Sequence, residues 1–341
     1  MKATTKATTK ATMSATMSAT MSATMSATMG PAMKQLAVLV TGAGSGIGLA
    51  TTRALLQAGH AVFAGARRQA HLQMLQELGA TAVPLDVCDA AQVQQAALTV
   101  AQAVAQAGHG LHGLVHNAGV GGLGVLQSWP DDDLHALFDT NVFGPQRLTR
   151  ALLPQLLAAR GRVVCIGSQG GSITMPFMGP YTMSKFALEA YADCLRQELA
   201  PHHVGVSIVQ PGAVATDIGD NGRAGTVRRL QTTEPPFADA AAAVLASMKT
   251  PTAPRPEEPE SAGNRRAAAP EKVAQVVLQA LFDETPQARY LVGTRWEGDR
   301  VITALIERLL DANASPSHRL TMAELLARVE DQHAARTQPA D

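Results

Sequence analysis

Short apolar runs alternate with helical segments along most of this 341-residue chain, and this alternation restricts the fold more than any other feature. The run LAVLVTG at 36–42 is the first strand candidate, and VGVSIVQPG at 204–212 is the sixth of about seven. Continuous apolar strands separated by helices are typical of a parallel sheet that is covered on both faces. Because crossovers between parallel strands are right-handed, we predict an α/β fold with a doubly wound parallel sheet of about seven strands.

The predicted elements follow from the period of the apolar residues and from the glycines and prolines between them. Strands are predicted over 36–42, 61–65, 81–86, 111–119, 162–168, 204–212 and 289–293. Helices are predicted up to about residue 58 and over 69–78, 89–107, 131–160, 181–200 and 270–282.

The first 33 residues differ in composition from the rest. Residues 2–29 repeat KATT, KATM and SATM, with no acidic residue and almost no large apolar side chain. Such a segment cannot bury a core, so we predict a disordered low-complexity tail over 1–33. A targeting peptide is the weaker alternative, because the tract has neither an arginine nor an apolar core.

We predict one globular domain over 34–312, interrupted by an irregular segment at 217–269 that is rich in glycine, proline and charged residues. Because this segment follows the sixth strand, where ligands bind in such sheets, it is interpreted as a substrate lid or as a disordered insertion. Residues 313–341 are predicted to form a helical C-terminal extension.

Charge and cysteine content argue against several classes of partner. The formal net charge is zero, which does not favour binding to nucleic acid or to an anionic membrane. Cys88, Cys165 and Cys194 are scattered, a pattern that suits a reducing compartment and disfavours a metal site. The chain has no run of eighteen apolar residues, so no integral membrane segment is expected and a cytoplasmic location is predicted.

A glycine-rich turn, TGAGSGIGLA at 41–50, follows the first predicted strand and begins the first predicted helix. Gly42, Gly46 and Gly48 allow a tight turn and a close approach of the backbone to a pyrophosphate at the helix N-terminus. Although glycines also mark plain turns, the strand before and the helix after this turn favour dinucleotide binding.

The end of the second predicted strand bears on which dinucleotide is bound. An NAD site usually carries an acidic residue about 20 residues beyond the glycine loop, and here that position is Ala66, followed by Arg67 and Arg68. A guanidinium group suits a 2′-phosphate, so NADP is predicted, with NAD the alternative. Ser45, before Gly46, is not basic, and so the loop lacks the second basic contact of some NADP sites.

The segment YTMSKFALEA at 181–190 pairs a tyrosine with a lysine four residues later. On a helix Tyr181 and Lys185 lie on the same face. An ammonium beside a phenol favours the phenolate and lowers the pKa of the tyrosine, so the pair suits general acid/base chemistry.

Taken together, five motifs carry a resemblance to a family. The sequences TGAGSGIG at 41–48, HNAG at 116–119, Ser168, YTMSK at 181–185 and PGAVAT at 211–216 occur in this order and spacing. The chain is therefore similar to the short-chain dehydrogenase/reductase family, whose fold is a Rossmann sheet, and resembles members that act on retinol or hydroxysteroids.

The resemblance covers about residues 35–215 strongly and implies roles for four catalytic residues. Tyr181 resembles the catalytic acid/base, and Lys185 the residue that acts on it and binds the nicotinamide ribose. Ser168 resembles the residue that bonds the substrate oxygen, and Asn141 the one that holds a water in a proton relay.

The same resemblance implies the cofactor contacts. They are Gly42, Ser45, Gly46, Ile47, Gly48, Arg67, Asp86, Val87, Asn117, Ala118, Gly119, Tyr181, Lys185, Pro211, Gly212, Val214 and Thr216. His116 departs from the asparagine that the family often has at this position, which places a structural hydrogen bond in question rather than catalysis. No metal site is predicted.

The predicted function is hydride transfer between NAD(P) and a hydrophobic alcohol or ketone. The alternative is a non-catalytic dinucleotide-binding protein with a regulatory or interaction role. The apolar segments at 120–126 and 169–180 are expected to line the substrate pocket, although they also suit simple core packing. By the resemblance, a homodimer or homotetramer is expected to form through 131–160 and 181–200.

Overall fold

The structure is a computed structural model that describes residues 35–216, 222–249 and 255–337. The low-complexity tail predicted over 1–33 lies outside the described residues. The compact unit that begins at Ala37 carries the fold described below.

Seven strands form one sheet in which all pairs of neighbours are parallel. They are β1 (Ala37–Val40), β2 (Ala61–Ala66), β3 (Thr81–Pro84), β4 (Gly113–His116), β5 (Arg162–Ile166), β6 (Gly205–Pro211) and β7 (Arg289–Val292). Their order is β3-β2-β1-β4-β5-β6-β7. The predicted doubly wound parallel sheet of about seven strands is confirmed.

Eleven α-helices are found among the described residues. They are α1 (Gly46–Gln57), α2 (Gln69–Glu77), α3 (Ala90–Gln106), α4 (Asp131–Phe138), α5 (Gly144–Ala159), α6 (Gly179–Leu199), α7 (Arg223–Gln231), α8 (Ala238–Lys249), α9 (Pro270–Phe282), α10 (Arg295–Asn313) and α11 (Met322–Thr337). A short π-helix, Asp139–Phe143, joins α4 to α5. None of these helices is long and apolar enough to cross a membrane.

Alternation along the strands builds a core on each face of the sheet. Successive residues of a strand point to opposite faces, so Leu39 belongs to one buried cluster and Val38 to the other. Leu148 and Leu188, from α5 and α6, lie in the cluster with Leu39, whereas Leu55 of α1 lies in the second. Because both faces are covered by helices, the central strands are apolar throughout, as the sequence pattern indicated.

The sheet reverses its winding at β1, which pairs with β2 on one side and with β4 on the other. Strand order that reverses in this way leaves a crevice outside the carboxyl ends of the strands, where ligands bind in open α/β sheets. The loops that follow β1, β2, β4, β5 and β6 all open at this edge.

The described part of the predicted insertion contains α7, α8 and a segment that returns to the sheet edge. The backbone of Ala268 pairs with the loop after β6, donating to Ala213 O at 2.8 Å and accepting from Ala215 N at 2.9 Å. This contact joins the end of the insertion to a loop at the crevice. The predicted domain limit at 312 stands as a prediction, and it falls one residue before the end of α10.

Candidate active site

Most of the predicted site residues line one cleft at the carboxyl edge of the sheet. The cleft contains Gly42, Ser45, Gly46, Ile47, Arg67, Asp86, Val87, Asn117, Ala118, Gly119, Ser168, Tyr181, Lys185, Pro211, Gly212, Val214 and Thr216. Gly48 and Asn141 are the predicted residues that do not line it, and each lies behind a residue that does.

The glycine loop wraps the start of α1 in the way its spacing indicated. Gly42 and Gly46 adopt φ values of 62° and 52°, in the left-handed region that favours glycine. A Cβ on Gly48 would lie 2.3 Å from the carbonyl oxygen of Gly42. Gly48 therefore allows α1 to pack against the loop, whereas Gly42 and Gly46 shape the cleft surface.

The start of α1 offers a site for an anionic group. Ser45 is the N-cap residue, and its side chain makes no capping hydrogen bond. The first N–H groups of a helix have no intrahelical partner, and the helix dipole is positive at this end. A Cβ on Gly46 would lie 3.0 Å from Thr216 Cγ2, so the space beside the loop exists because residue 46 lacks a side chain. These features fit the pyrophosphate of a dinucleotide.

Thr41 fixes the loop that follows β4, and the sequence analysis did not single it out. Its Oγ1 accepts hydrogen bonds from the backbone N–H groups of Asn117 and Ala118, both at 2.9 Å. Asn117 Nδ2 donates in return to Thr41 O at 2.9 Å and to Gly42 O at 3.1 Å. The threonine therefore links the two loops on either side of the crevice.

The end of the cleft at β2 and β3 carries a basic group paired with an acid. Arg67 lies 3.5 Å from the carboxylate of Asp86, and its side chain is 66% exposed. Asp86 also accepts from the backbone N–H of Cys88 at 3.0 Å, which fixes its orientation. Ala66 is buried at the end of β2, where an NAD site would carry an acidic residue.

Tyr181 lies in the first turn of α6, next to Ser168 at the end of β5. Burial raises the pKa of Tyr181 above its usual value, and the hydrogen bond with Ser168 opposes this shift. The direction is opposite to that expected from a nearby cation, because loss of water disfavours the charged phenolate. The phenol is therefore protonated at neutral pH in this structure.

Lys185 is buried one turn beyond Tyr181. Its Nζ donates to Ile166 O at 2.9 Å and lies 5.8 Å from the centroid of the Tyr181 ring. Burial lowers the pKa of Lys185 to about 8, while the neighbouring Cys165 and Glu189 act in the opposite direction. The ammonium is present at neutral pH, and it titrates within the range in which enzymes are assayed.

Asn141 lies in the π-helix and supports the loop after β4 from behind. Its Nδ2 donates to Val120 O at 2.9 Å and to Ser184 Oγ at 3.0 Å, and its Oδ1 accepts from Val120 N at 2.8 Å. Ser184 donates in turn to Tyr181 O at 2.7 Å. Single-turn π-helices occur frequently at functional sites, and this one connects the side chain of Asn141 to the helix of Tyr181.

His116 forms a structural contact and does not face the cleft. Its Nε2 lies 2.7 Å from Thr149 Oγ1, and burial lowers the pKa of His116 to about 3. Within the described ranges, no group of three or more His, Cys, Asp or Glu residues could hold a metal ion.

Helix α7 of the insertion packs on the loop that follows β4, next to Tyr181. Arg229 is buried, donates to Leu123 O at 3.0 Å and to Asp133 at 2.7 Å, and lies 3.7 Å from the centroid of the Trp129 ring. Thr226 Oγ1 accepts from the N–H of Leu123 at 3.0 Å. The insertion is therefore attached to the cleft at the side where the substrate is expected.

His71 is a cleft residue that the sequence analysis missed. It lies in the first turn of α2, three positions after Arg68. That spacing is the signal that could have identified it, because residues i and i+3 share one face of a helix. Thr41 and Ser184 carried no comparable signal, since their partners are distant in sequence or are backbone atoms.

Comparison with known proteins shows the family of the chain. Residues 36–226 match the family model described as short chain dehydrogenase. The oxidoreductase YbbO of Escherichia coli K12 is 34% identical over 259 residues, or 76% of this chain and 86% of that protein. Retinol dehydrogenase 5 of Mus musculus is 40% identical over 185 residues, covering 53% of this chain and 57% of the relative.

A solved structure of a dehydrogenase has a similar fold. The closed form of a serine dehydrogenase complexed with NADP+ superposes with a TM-score of 0.61 at 26% identity, covering 76% of this chain and 95% of that one. The predicted resemblance, including that to a retinol dehydrogenase, is confirmed. The chain belongs to the short-chain dehydrogenase family of oxidoreductases.

Proposed function

We propose that this protein is an NADP(H)-dependent oxidoreductase that reduces a hydrophobic ketone or oxidises the corresponding alcohol. The observation that carries the proposal is the meeting of Tyr181, Lys185 and Ser168 in one cleft with the glycine loop after β1. An acid/base pair of side chains and a dinucleotide-binding loop are both needed for this reaction, and they open into the same space.

Proton transfer is assigned to Tyr181. A phenol has a pKa of about 10 and burial raises that of Tyr181 further, so Tyr181 is protonated at neutral pH and suited to donate a proton to a carbonyl oxygen that becomes an alkoxide. Ser168 is assigned a second hydrogen bond to that oxygen. When bound, the nicotinamide supplies or accepts the hydride.

Lys185 and Asn141 support this proton transfer. The Lys185 ammonium stabilises a phenolate on Tyr181 after the proton has left, since a nearby positive charge favours the ionised form. Asn141 is assigned to hold the proton-relay water and, through Ser184, the start of α6. Its side-chain amide already bonds Val120 and Ser184, which fits a positioning role at the relay.

The preference for NADP(H) is proposed from the charge of the adenosine end of the cleft. Arg67 and Arg68 line this end, and Ala66 takes the place of an acidic residue. The serine dehydrogenase structure with NADP+ shows that a related chain binds this cofactor. A guanidinium group gains a charge-assisted hydrogen bond from a 2′-phosphate and none of comparable strength from a 2′-hydroxyl.

A hydrophobic substrate is proposed from the surroundings of Tyr181. Leu126 is half exposed and contacts Gly179, two residues before the tyrosine. Gly121 lies beside the Tyr181 ring, since a Cβ added to it would be 3.7 Å from that ring. The space next to the phenol is therefore bounded here by backbone that carries no side chain. Phe177 holds a φ of 67° in a neighbouring loop, a strained conformation of the kind found at binding sites.

We also propose a cytoplasmic homodimer or homotetramer. Phe143 and Leu157 lie in the predicted assembly region 131–160, and both are exposed large apolar side chains. Met183 is exposed at the start of the second region, 181–200. Sedimentation of the wild type beside a Phe143→Glu, Leu157→Glu variant tests the proposed oligomeric state. A wild-type monomer would contradict that part of the proposal.

Titration of the purified protein with NADPH and NADH, followed by nicotinamide fluorescence, tests the cofactor proposal. We expect tighter binding of NADPH, with the preference lost in Arg67→Ala. Equal binding of both cofactors by the wild type, or a preference for NADH, would contradict the assignment of Arg67. If neither cofactor binds, the proposed function is wrong as a whole.

A further inference from the structure

The imidazole of His71 lies directly against the glycine loop. A Cβ on Gly44 would lie 2.1 Å from His71 Nδ1 and 2.6 Å from His71 Cγ. Because no Cβ can lie so close to another atom, the imidazole occupies space that is free only when residue 44 is glycine. Both residues line the cleft, next to Ser45.

The local sequence makes this corner of the cleft positive. Helix α2 begins at Gln69 with Arg68 at the N-cap, and its first turn contains no acidic residue. Helices usually place Asp or Glu near the N-terminus, where the dipole is positive. The N-terminus of α2 instead has basic residues near it, which are Arg67, Arg68 and His71.

One carboxylate opposes these basic groups. Asp86 is the single acidic side chain among the described residues that line the cleft, and it lies 3.5 Å from Arg67. The corner therefore holds more basic than acidic groups. A ribose with an uncharged 2′-hydroxyl gains no charge-assisted hydrogen bond from this excess of basic groups, whereas a 2′-phosphate does.

We propose that His71 is a specificity-determining residue that contacts the 2′-phosphate of NADP(H) from the side of the glycine loop. The inference rests on the proposed function and deepens it. Ser45 lacks the basic side chain that some NADP sites have in the glycine loop, and His71 supplies the second basic contact from α2. Its effect is on the choice of cofactor and not on proton transfer at Tyr181.

The test compares dissociation constants of NADPH and NADH for the wild type and His71→Leu, measured by nicotinamide fluorescence, because leucine has no hydrogen-bond donor. Removing a hydrogen bond to a charged group is expected to weaken NADPH binding about tenfold. NADH binding is expected to stay the same, because NADH lacks the phosphate. Gln69→Ala is the matched control, since Gln69 is exposed in the same turn of α2, and both affinities should match the wild type.

A second variant keeps the proposal falsifiable if the leucine disturbs the loop. His71→Lys places an ammonium donor at this position, and we expect it to retain the preference for NADPH. An equal loss of NADPH and NADH affinity in both variants would mean that His71 only supports the glycine loop, and it would overturn the assignment. Unchanged NADPH affinity in His71→Leu would overturn it as well. A wild type that binds neither cofactor would instead overturn the proposed function and this inference together.

Discussion

Arg265 forms an ion pair with Glu297, a fully buried carboxylate in the first turn of α10. Glu297 also accepts a hydrogen bond from Ala213 N at 2.8 Å and closes a capping box with Thr294. A Cβ on Gly212 would lie 2.1 Å from Glu297 Oε2, so the carboxylate packs under the loop after β6. One acid therefore links the returning end of the insertion to a loop that lines the cleft.

Arg265→Met is expected to lower the free energy of unfolding by about 3 kcal/mol, because it leaves the charge of Glu297 buried without its cation. This value is at the low end for broken buried pairs, since the Arg265 side chain is one-third exposed. Denaturation in urea measures it. Arg255→Met is the control, because Arg255 and its partner Glu258 are both about half exposed and such pairs contribute about 0–1 kcal/mol. Equal losses in both variants would refute the role of Glu297 as a link.

Gly48→Ala is expected to destabilise the fold by about 1–3 kcal/mol and to weaken dinucleotide binding. The added Cβ would meet Gly42 O at 2.3 Å and Asn117 Nδ2 at 2.4 Å, and neither the loop nor α1 can retreat without distorting the cleft. Thermal denaturation and NADPH titration measure the two effects. Gly263→Ala has open space around the new Cβ and should leave both quantities unchanged. A Gly48→Ala variant as stable as the wild type would contradict the packing described here.

The fold was predictable because the strand and helix periods are visible along the chain. The runs around Val40 and Ile166 indicated buried parallel strands, and the order of the elements indicated where the crevice would lie. The candidate site was predictable from motif spacing, since its residues follow the strands that meet at one sheet edge.

The remaining features depend on distant contacts or on competing energies. Arg229 meets Asp133, 96 positions away, and no local pattern encodes such a pair. The spacing of Tyr181 and Lys185 predicts a lowered pKa for the tyrosine, whereas burial raises it. Burial opposes a nearby cation, and which of the two prevails depends on how fully the phenol is covered.

Lys185 should make both activity and stability depend on pH. With a pKa of about 8, its ammonium is lost as pH rises through 8, so kcat/KM should fall on the alkaline side with an apparent pKa near that value. Between about 8 and 10.5 the unfolded chain binds more protons than the folded chain. The buried ammonium of Lys185 therefore destabilises the folded chain most below pH 8. This destabilisation shrinks as the pH rises to 10.5, so the free energy of unfolding increases over that range.

The measurement is the free energy of unfolding of the wild type minus that of Lys185→Met over this range. We expect the difference to rise by about 3 kcal/mol with increasing pH. Lys272→Met serves as the control because Lys272 is exposed, and its difference should stay constant. A flat difference for Lys185 would show that its ammonium is not destabilised by burial.

Arg229→Met is expected to loosen α7, because Asp133 would lose its buried partner and the Trp129 ring its cation. Amide hydrogen exchange in α7 should accelerate at least tenfold, and KM for substrate should rise more than kcat falls. Arg228→Met is a matched control, since Arg228 pairs with the same aspartate from an exposed position. If the two variants exchange equally fast, the buried arginine does not hold the helix.

The most direct test of the central claim is NADPH consumption with hydrophobic ketones by the wild type and by Tyr181→Phe. Phenylalanine keeps the ring beside Gly121 and removes the hydroxyl that transfers the proton. We predict that the wild type turns over, that the variant loses about 10²–10⁴-fold in kcat, and that the variant still binds NADPH. A variant with full activity, or a wild type that binds NADPH and reduces none of these ketones, would contradict the account.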